Sequence, residues 1–190
     1  MRVLGLDPGS RRTGFGVVER SGNRYTCLGH GTATPKGGAE LPARLHAICQ
    51  RIDAVIEEHR PDVVAVEEAF YHESVRSTLV LGHVRGALLV TAARHGCEIA
   101  EYSPREIKLS VAGHGGAAKE QVAFMVRRLL ALKGDLSPDA SDALAGALCH
   151  LQRVRITPGA RAMGFAAQRL EALLATARPG SRVVGRRPRR

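Results

Sequence analysis

The sequence predicts an α/β fold: a mixed five-stranded sheet, its first three strands antiparallel, flanked by helices on both faces. Three observations carry that prediction. Three β-like segments open the chain with only turn chemistry between them. A short apolar run at 63–66 and a further short strand-like segment at 98–102 each follow a stretch of helical period. The ordered pattern then closes on helices alone.

Arg2–Leu6 reads as the first strand, ended by Asp7 and the turn pair Pro8-Gly9. Gly14–Glu19 and Tyr25–Thr34 follow as the second and third strands, joined near Ser21-Gly22. Between Leu41 and His59 the residues Leu41, Leu45, Ile48, Ile52, Val55 and Ile56 keep helical spacing. Val63–Val66 is an unbroken apolar run after Pro61, the mark of a strand buried on both faces. Val75–Ala93 is rich in Leu, Val and Ala, with Gly82 and Gly86 on one side, which predicts a closely packed helix. Glu98–Tyr102 is a short strand. Ala117–Leu132 turns Val122, Met125, Val126, Leu129 and Leu130 inward on an amphipathic helix. The last helix, Pro138–Leu151, has Ser137 as N-cap and Pro138 at its first position.

At 190 residues and 44% hydrophobic content, the chain suits one ordinary domain with a short extension. Trp is absent and aromatic residues make up 4%, so the core has to be aliphatic. No segment approaches the roughly 20 apolar residues of a membrane span, and MRVLGLDPG lacks the layout of a signal peptide. Cys27, Cys49, Cys97 and Cys149 form no C-x-x-C pair, and the histidines show no metal spacing. The expectation is a reduced, cytoplasmic protein with neither zinc nor a membrane partner. The net charge of +10 is unevenly spread: residues 151–190 hold ten Arg against the single acid Glu171, nine of those ten charges. The chain therefore divides into a nearly neutral domain, 1–154, and an Arg-rich basic tail, 155–190. Within that tail 160–176 could form one basic helix, and the last dozen residues read as disordered. A basic balance of this kind points to nucleic acid.

Four acids stand out among apolar neighbours. Asp7 ends the first strand, and Glu67 ends the second buried one in VVAVEEAF. Asp139 and Asp142, three apart in SPDASDALAGAL, share one face of the last helix. Two strand ends and one helix face could bring all four into one cleft. Unpaired, they would raise one another's pKa, whereas divalent cations would relieve the repulsion. Oxygen-only ligands favour Mg²⁺ or Mn²⁺. Plainer roles exist for each. Asp before Pro-Gly is a good turn residue, a first-turn Asp139 suits the helix dipole, and spacing does not say which of Glu67 and Glu68 is functional.

LGLDPGSRRTGFGVV, VEEAF, GHVRGALL, the K-x-x-V-x-G run of IKLSVAGHGGAAKEQV and DASDALA occur in that order over about residues 1–150. Together they closely resemble the RuvC family of bacterial Holliday junction resolvases, within the ribonuclease H-like superfamily. The resemblance implies a ribonuclease H-like nuclease domain and a crossover junction endodeoxyribonuclease acting in recombination and repair. It implies two Mg²⁺ ions per subunit, with Mn²⁺ able to substitute, on Asp7, Glu67, Asp139 and Asp142. Lys119 matches the family lysine beside the scissile phosphate, and Lys108 a second lysine suited to the DNA backbone. Phe70 matches an aromatic that stacks on a base near the crossover; Tyr71 and Arg76 are expected as further DNA contacts. A two-fold homodimer is implied as well, since a four-way junction presents two equivalent strands, with the Gly82 and Gly86 face as its contact. The implied partner proteins are RuvA and RuvB. The tail lies outside the resemblance.

Three other functions fit parts of the pattern. The acids alone would equally suit a nuclease for RNA–DNA hybrids. A phosphotransferase of the sugar-kinase type also opens on an Asp-x-Gly turn, but this chain is short for two lobes and lacks a second such motif. A non-catalytic DNA-binding protein would use the tail and leave the acids as turns and caps.

Overall fold

A computed structural model describes residues 1–68 and 74–154. Strands β1 (Arg2–Asp7), β2 (Thr13–Ser21) and β3 (Arg24–Ala33) are followed by helix α1 (Leu41–His59), strand β4 (Val63–Glu67), helix α2 (Val75–Arg94) and strand β5 (Glu98–Tyr102). Helices α3 (Pro104–Ala112), α4 (Lys119–Leu129) and α5 (Pro138–Arg153) complete the order. The sheet runs β3-β2-β1-β4-β5. β1 pairs antiparallel with β2, as β2 does with β3, while β4 is parallel to both β1 and β5. The mixed five-stranded sheet matches the expectation from the sequence.

Helix α3 is the element that periodicity did not predict. Its nine residues are too few for a clear 3.6 pattern, and only Ile107 and Val111 are buried. A capping signal was nevertheless present: Ser103 Oγ accepts from the Glu106 N–H, and Glu106 Oε2 accepts from the Ser103 N–H at 3.0 Å. Pro104 occupies the first turn between them. Phe70, Tyr71 and the whole tail fall outside the described residues.

Alternation along the strands sorts the core into two layers. Val3, Val18, Val63 and Ala65 pack with α3, α4 and α5. Leu4, Leu6, Phe15, Val17, Val64 and Val66 turn the other way, against α1 and α2. Helix α5 is buried almost all round beyond its first turn, from Ala143 to Leu151. It lies so close to the sheet that a Cβ at Gly5 would run into the Ala143 carbonyl, and one at Gly14 into the Asp139 carbonyl. Among the described residues no helix is long and apolar enough to cross a membrane.

Helix α4 ends in a Schellman motif. The Leu132 N–H donates to the Arg127 carbonyl at 2.9 Å and the Ala131 N–H to that of Arg128 at 3.4 Å. Ala131 therefore sits at φ 49°, in the left-handed region where a Cβ is unfavourable. Ala131→Gly should stabilise the protein by about 0.5–1 kcal/mol, since the relief of strain outweighs the extra freedom of the unfolded chain. Thermal unfolding should show a rise of about 2–4 °C. Ala131→Val should lower the midpoint, and the same shift for both variants would contradict the strain.

Candidate active site

Strand parity decides which acids meet. In β1, Val3 and Gly5 face α5 while Leu4 and Leu6 face α1 and α2, so Asp7 falls on the α5 side. In β4, Val63 and Ala65 face α5, which puts Glu67 on that same side. The parallel register Leu6↔Val66 makes Asp7 and Glu67 neighbours at adjoining strand ends. Glu68 lies one residue further, is exposed, and uses its N–H on the Tyr102 carbonyl. Of the two glutamates that spacing could not separate, Glu67 is the one that faces inward, toward Asp7.

The start of α5 covers the same strand ends. Asp7 pairs with Gly14 of β2, and Gly14 lies against the backbone of Asp139. Asp142 follows less than one turn later on the same helix face. The Ser137 Oγ accepts from the Ala140 N–H, fixing where the helix begins and hence where both acids stand.

Burial and mutual repulsion act on this cluster together. The Asp7 carboxyl is pushed up to about 7, chiefly by burial, then by Asp142, Glu67 and Asp139, with Lys119 opposing. Burial raises Glu67 as well, with a contribution from Asp142, against the pull of Lys119 and Lys108. Burial also raises Asp142, while Lys119 lowers it by charge and by hydrogen bonding. Lys119 Nζ stands 3.6 Å from Asp142 Oδ2, and Arg12 Nε 3.9 Å from Asp139 Oδ2. Lys119 is the first residue of α4, where the helix dipole disfavours a cation, so its placement serves the acids rather than the helix. Lys108, on α3, acts on the same cluster from a greater distance. Arg76 is exposed on the first turn of α2.

The four acids form an all-oxygen donor set, which fits a hard divalent cation. Among the described residues no three acid, His or Cys side chains yet converge closely enough to ligate one ion. Lys119 and Arg12 stand beside two of the four carboxylates instead.

Several supporting residues carry no motif of their own. Arg85 is mostly buried on α2, donates from Nε to the Glu67 carbonyl at 3.4 Å, and pairs through Nη2 with Glu101 Oε2 at 2.6 Å. It ties the end of β4 to its neighbours. Arg44 reaches across from α1 to the Ser10 carbonyl, and Thr13 Oγ1 donates to the Gly9 carbonyl at 2.9 Å, so the turn after Asp7 is held from two sides. An Arg set among apolar residues at mid-helix, as in GHVRGALL, was the one sequence signal for Arg85.

The raised carboxyls make stability depend on pH with a definite sign. Below about pH 4 Asp7 is protonated in both folded and unfolded chains and costs nothing. Between about pH 4 and its folded value near 7, the unfolded chain ionises first, so stability falls as pH rises. Glu67 and Asp142 add in the same direction. In metal-free buffer, Asp7→Asn should leave stability at pH 4 nearly unchanged and raise it at pH 8, on the order of 2–4 kcal/mol. Urea unfolding at the two pH values measures this, and equal shifts at both would show that Asp7 is not strained in the folded chain.

The comparisons with known proteins identify the family of the chain. The model of the family described as "Crossover junction endodeoxyribonuclease RuvC" matches residues 3–150. The RuvC of Caulobacter vibrioides is 50% identical over 149 residues, covering 78% of this chain and 88% of that one. The RuvC of Bordetella avium is 44% identical over 180 residues, covering 95% and 94%. Among solved structures, T. thermophilus RuvC in complex with a Holliday junction substrate superposes with a TM-score of 0.75 at 37% identity, covering 80% of this chain and 93% of that one. The fold, the paired strand ends and the extent of the match lead to one conclusion: this chain belongs to the RuvC family of crossover junction endodeoxyribonucleases.

Proposed function

We propose that the chain resolves four-way DNA junctions by paired symmetric nicks, through hydrolysis at the cluster of Asp7, Glu67, Asp139 and Asp142. The observation that carries this reading is strand parity, which sends Asp7 and Glu67 to the one face where α5 presents its two acids. Family members are metal-dependent nucleases, and the oxygen-only donor set fits two Mg²⁺ ions per subunit, with Mn²⁺ as a substitute. Such ions supply an activated water and a charge sink for the leaving 3′-oxygen.

The chain's own residues do the rest. Asp7 and Glu67 from the strand ends, with Asp139 and Asp142 from α5, would hold the ions. Water oxygen adds to phosphorus, the bond to the 3′-oxygen breaks, and the products carry a 5′-phosphate and a ligatable 3′-hydroxyl. Lys119 offsets charge on the transferring phosphate, and Lys108 holds the backbone beside it. Arg76 offers a further phosphate contact. Phe70, three residues beyond Glu67, is assigned to base stacking on its place in the sequence, and Tyr71 to the same stretch of DNA.

The exposed side of α2 supports a two-fold homodimer. Val75, Leu79 and Val90 are 62%, 60% and 60% exposed, and they share one helix face with Gly82 and Gly86, beyond which there is open space. RuvA and RuvB are the partners that the family resemblance implies, and the cytoplasm is the compartment.

Asp7→Asn and Glu67→Gln should each abolish nicking of a synthetic four-way junction while binding persists. Glu68→Gln should lower the rate less than about tenfold, equivalent to 1.4 kcal/mol. Normal cleavage by Asp7→Asn would place the chemistry elsewhere. Linear duplex and RNA–DNA hybrid serve as comparison substrates, and preferential cutting of either would displace the junction reading.

Subunit cooperation gives a second outcome. A mixed dimer of wild-type and Asp142→Asn subunits should convert a cruciform plasmid to nicked circles, where the wild type gives linear product. Linear product from the mixed dimer, or junction cleavage by a monomer in sedimentation, would count against paired sites.

A further inference from the structure

Two basic side chains stand on the two acids of α5, one on each. Lys119 has its role as the residue nearest the transferring phosphate; Arg12 is left without one. Its position is well defined all the same. Arg12 lies in the turn between β1 and β2, next to Thr13, with its Nε 3.9 Å from Asp139 Oδ2. The turn's backbone is held by Arg44 at the Ser10 carbonyl and by Thr13 at the Gly9 carbonyl. The side chain is not: it is 64% exposed, and its ion pair with Asp139 is long. Ion pairs this long and exposed hold weakly, so the guanidinium is free to exchange one anion for another.

The charges of the cluster say when it would do so. Once fully ionised, the four carboxylates carry four negative charges, which two divalent cations would balance in full. Arg12 and Lys119 would then have lost their electrostatic reason to remain on Asp139 and Asp142. The nearest new anion is the DNA backbone that the same cations draw into the cleft. A guanidinium suits a phosphate especially well, since its planar fork donates two parallel hydrogen bonds.

We propose that Arg12 is a phosphate-positioning residue of the nuclease, held in reserve on Asp139 in the free protein and passed to the DNA backbone once that carboxylate takes up a divalent cation. This rests on the metal-centre reading above. It has a consequence that a plain DNA contact lacks. Arg12 competes with the cation before DNA arrives and assists DNA afterwards, so its removal must act in opposite directions on the two binding steps.

The test uses the full chain, with Arg12→Gln, Arg12→Lys and Asp7→Asn beside the wild type. Titration with Mn²⁺ in the absence of DNA, followed by electron paramagnetic resonance, should show Arg12→Gln binding the ion about two- to fivefold more tightly, the gain expected from removing one weak competing pair. Affinity for a four-way junction, with Ca²⁺ in place of the reactive ion, should fall for Arg12→Gln. The slope of log affinity against log salt should become shallower by about 0.9, one phosphate contact. In chelator alone the two proteins should show equal slopes, because Arg12 is then still on Asp139. Arg12→Lys should recover most of the slope. Unchanged or weaker Mn²⁺ binding by Arg12→Gln, or an equal slope with Ca²⁺ present, overturns the proposal. Asp7→Asn separates the two levels: if it binds Mn²⁺ like the wild type, the metal-centre reading fails; if it loses the ion while Arg12→Gln matches the wild type, only the role of Arg12 fails.

Discussion

Helix α5 meets β1 and β2 backbone to backbone, at Gly5 and Gly14, and every other feature of the site hangs on that contact. A side chain at either position would lift the helix off the sheet by the thickness of a methyl group at least. With glycine there, the first turn of α5 comes down onto the end of β1, and Asp139 and Asp142 arrive beside Asp7 and Glu67. The rest of α5 is then committed to the core, where Leu144, Leu148 and Leu151 are fully buried. Packing energy from one end of the helix thereby holds two acids in place at the other.

That arrangement is electrostatically unfavourable, and the unfavourable part is the cluster to which we assign the chemistry. Three of the four acids are driven upward in pKa first by burial, with the other acids adding to the rise and Lys119 opposing it. A fold of marginal stability tolerates such a cluster only where something larger holds it together. Here the aliphatic layers on both sheet faces do so, with Arg85 and Arg44 tying down the strand end and the turn that carry it. Lys119 and Arg12 offset part of the charge from exposed positions, where they hold weakly and can leave.

Much of this was legible before any coordinates. The five strands and most of the helices followed from apolar runs and from helical period, because burial on one or two faces writes itself directly into residue order. Asp7, Asp139 and Asp142 stood out because acids among apolar neighbours need a reason. Helix α3 escaped, since nine residues with two buried positions leave too weak a period, although Ser103, Pro104 and Glu106 spelled out its start. Arg85 and Arg44 escaped as well, because both donate to carbonyl oxygens, which every residue has and no motif records, and the ion pair of Arg85 with Glu101 exists only once β5 lies beside β4.

What the sequence determined by itself was the fold class and a set of four acids able to meet at strand ends in an α/β sheet, with an Arg-rich stretch beyond; the lysines came from the family resemblance. Which acid of the Glu67-Glu68 pair faces the other acids was decided only by tertiary structure. The reason is that parity has meaning only relative to a partner strand and a covering helix. Once β4 lies parallel to β1 in the register Leu6↔Val66, and α5 covers one face, Glu67 points in and Glu68 is left exposed. The same holds for Arg12. Its turn was visible in PGSRRTG, but its ion pair with Asp139, 127 residues away in the chain, exists only because α5 comes back across the strand end from which that turn departs.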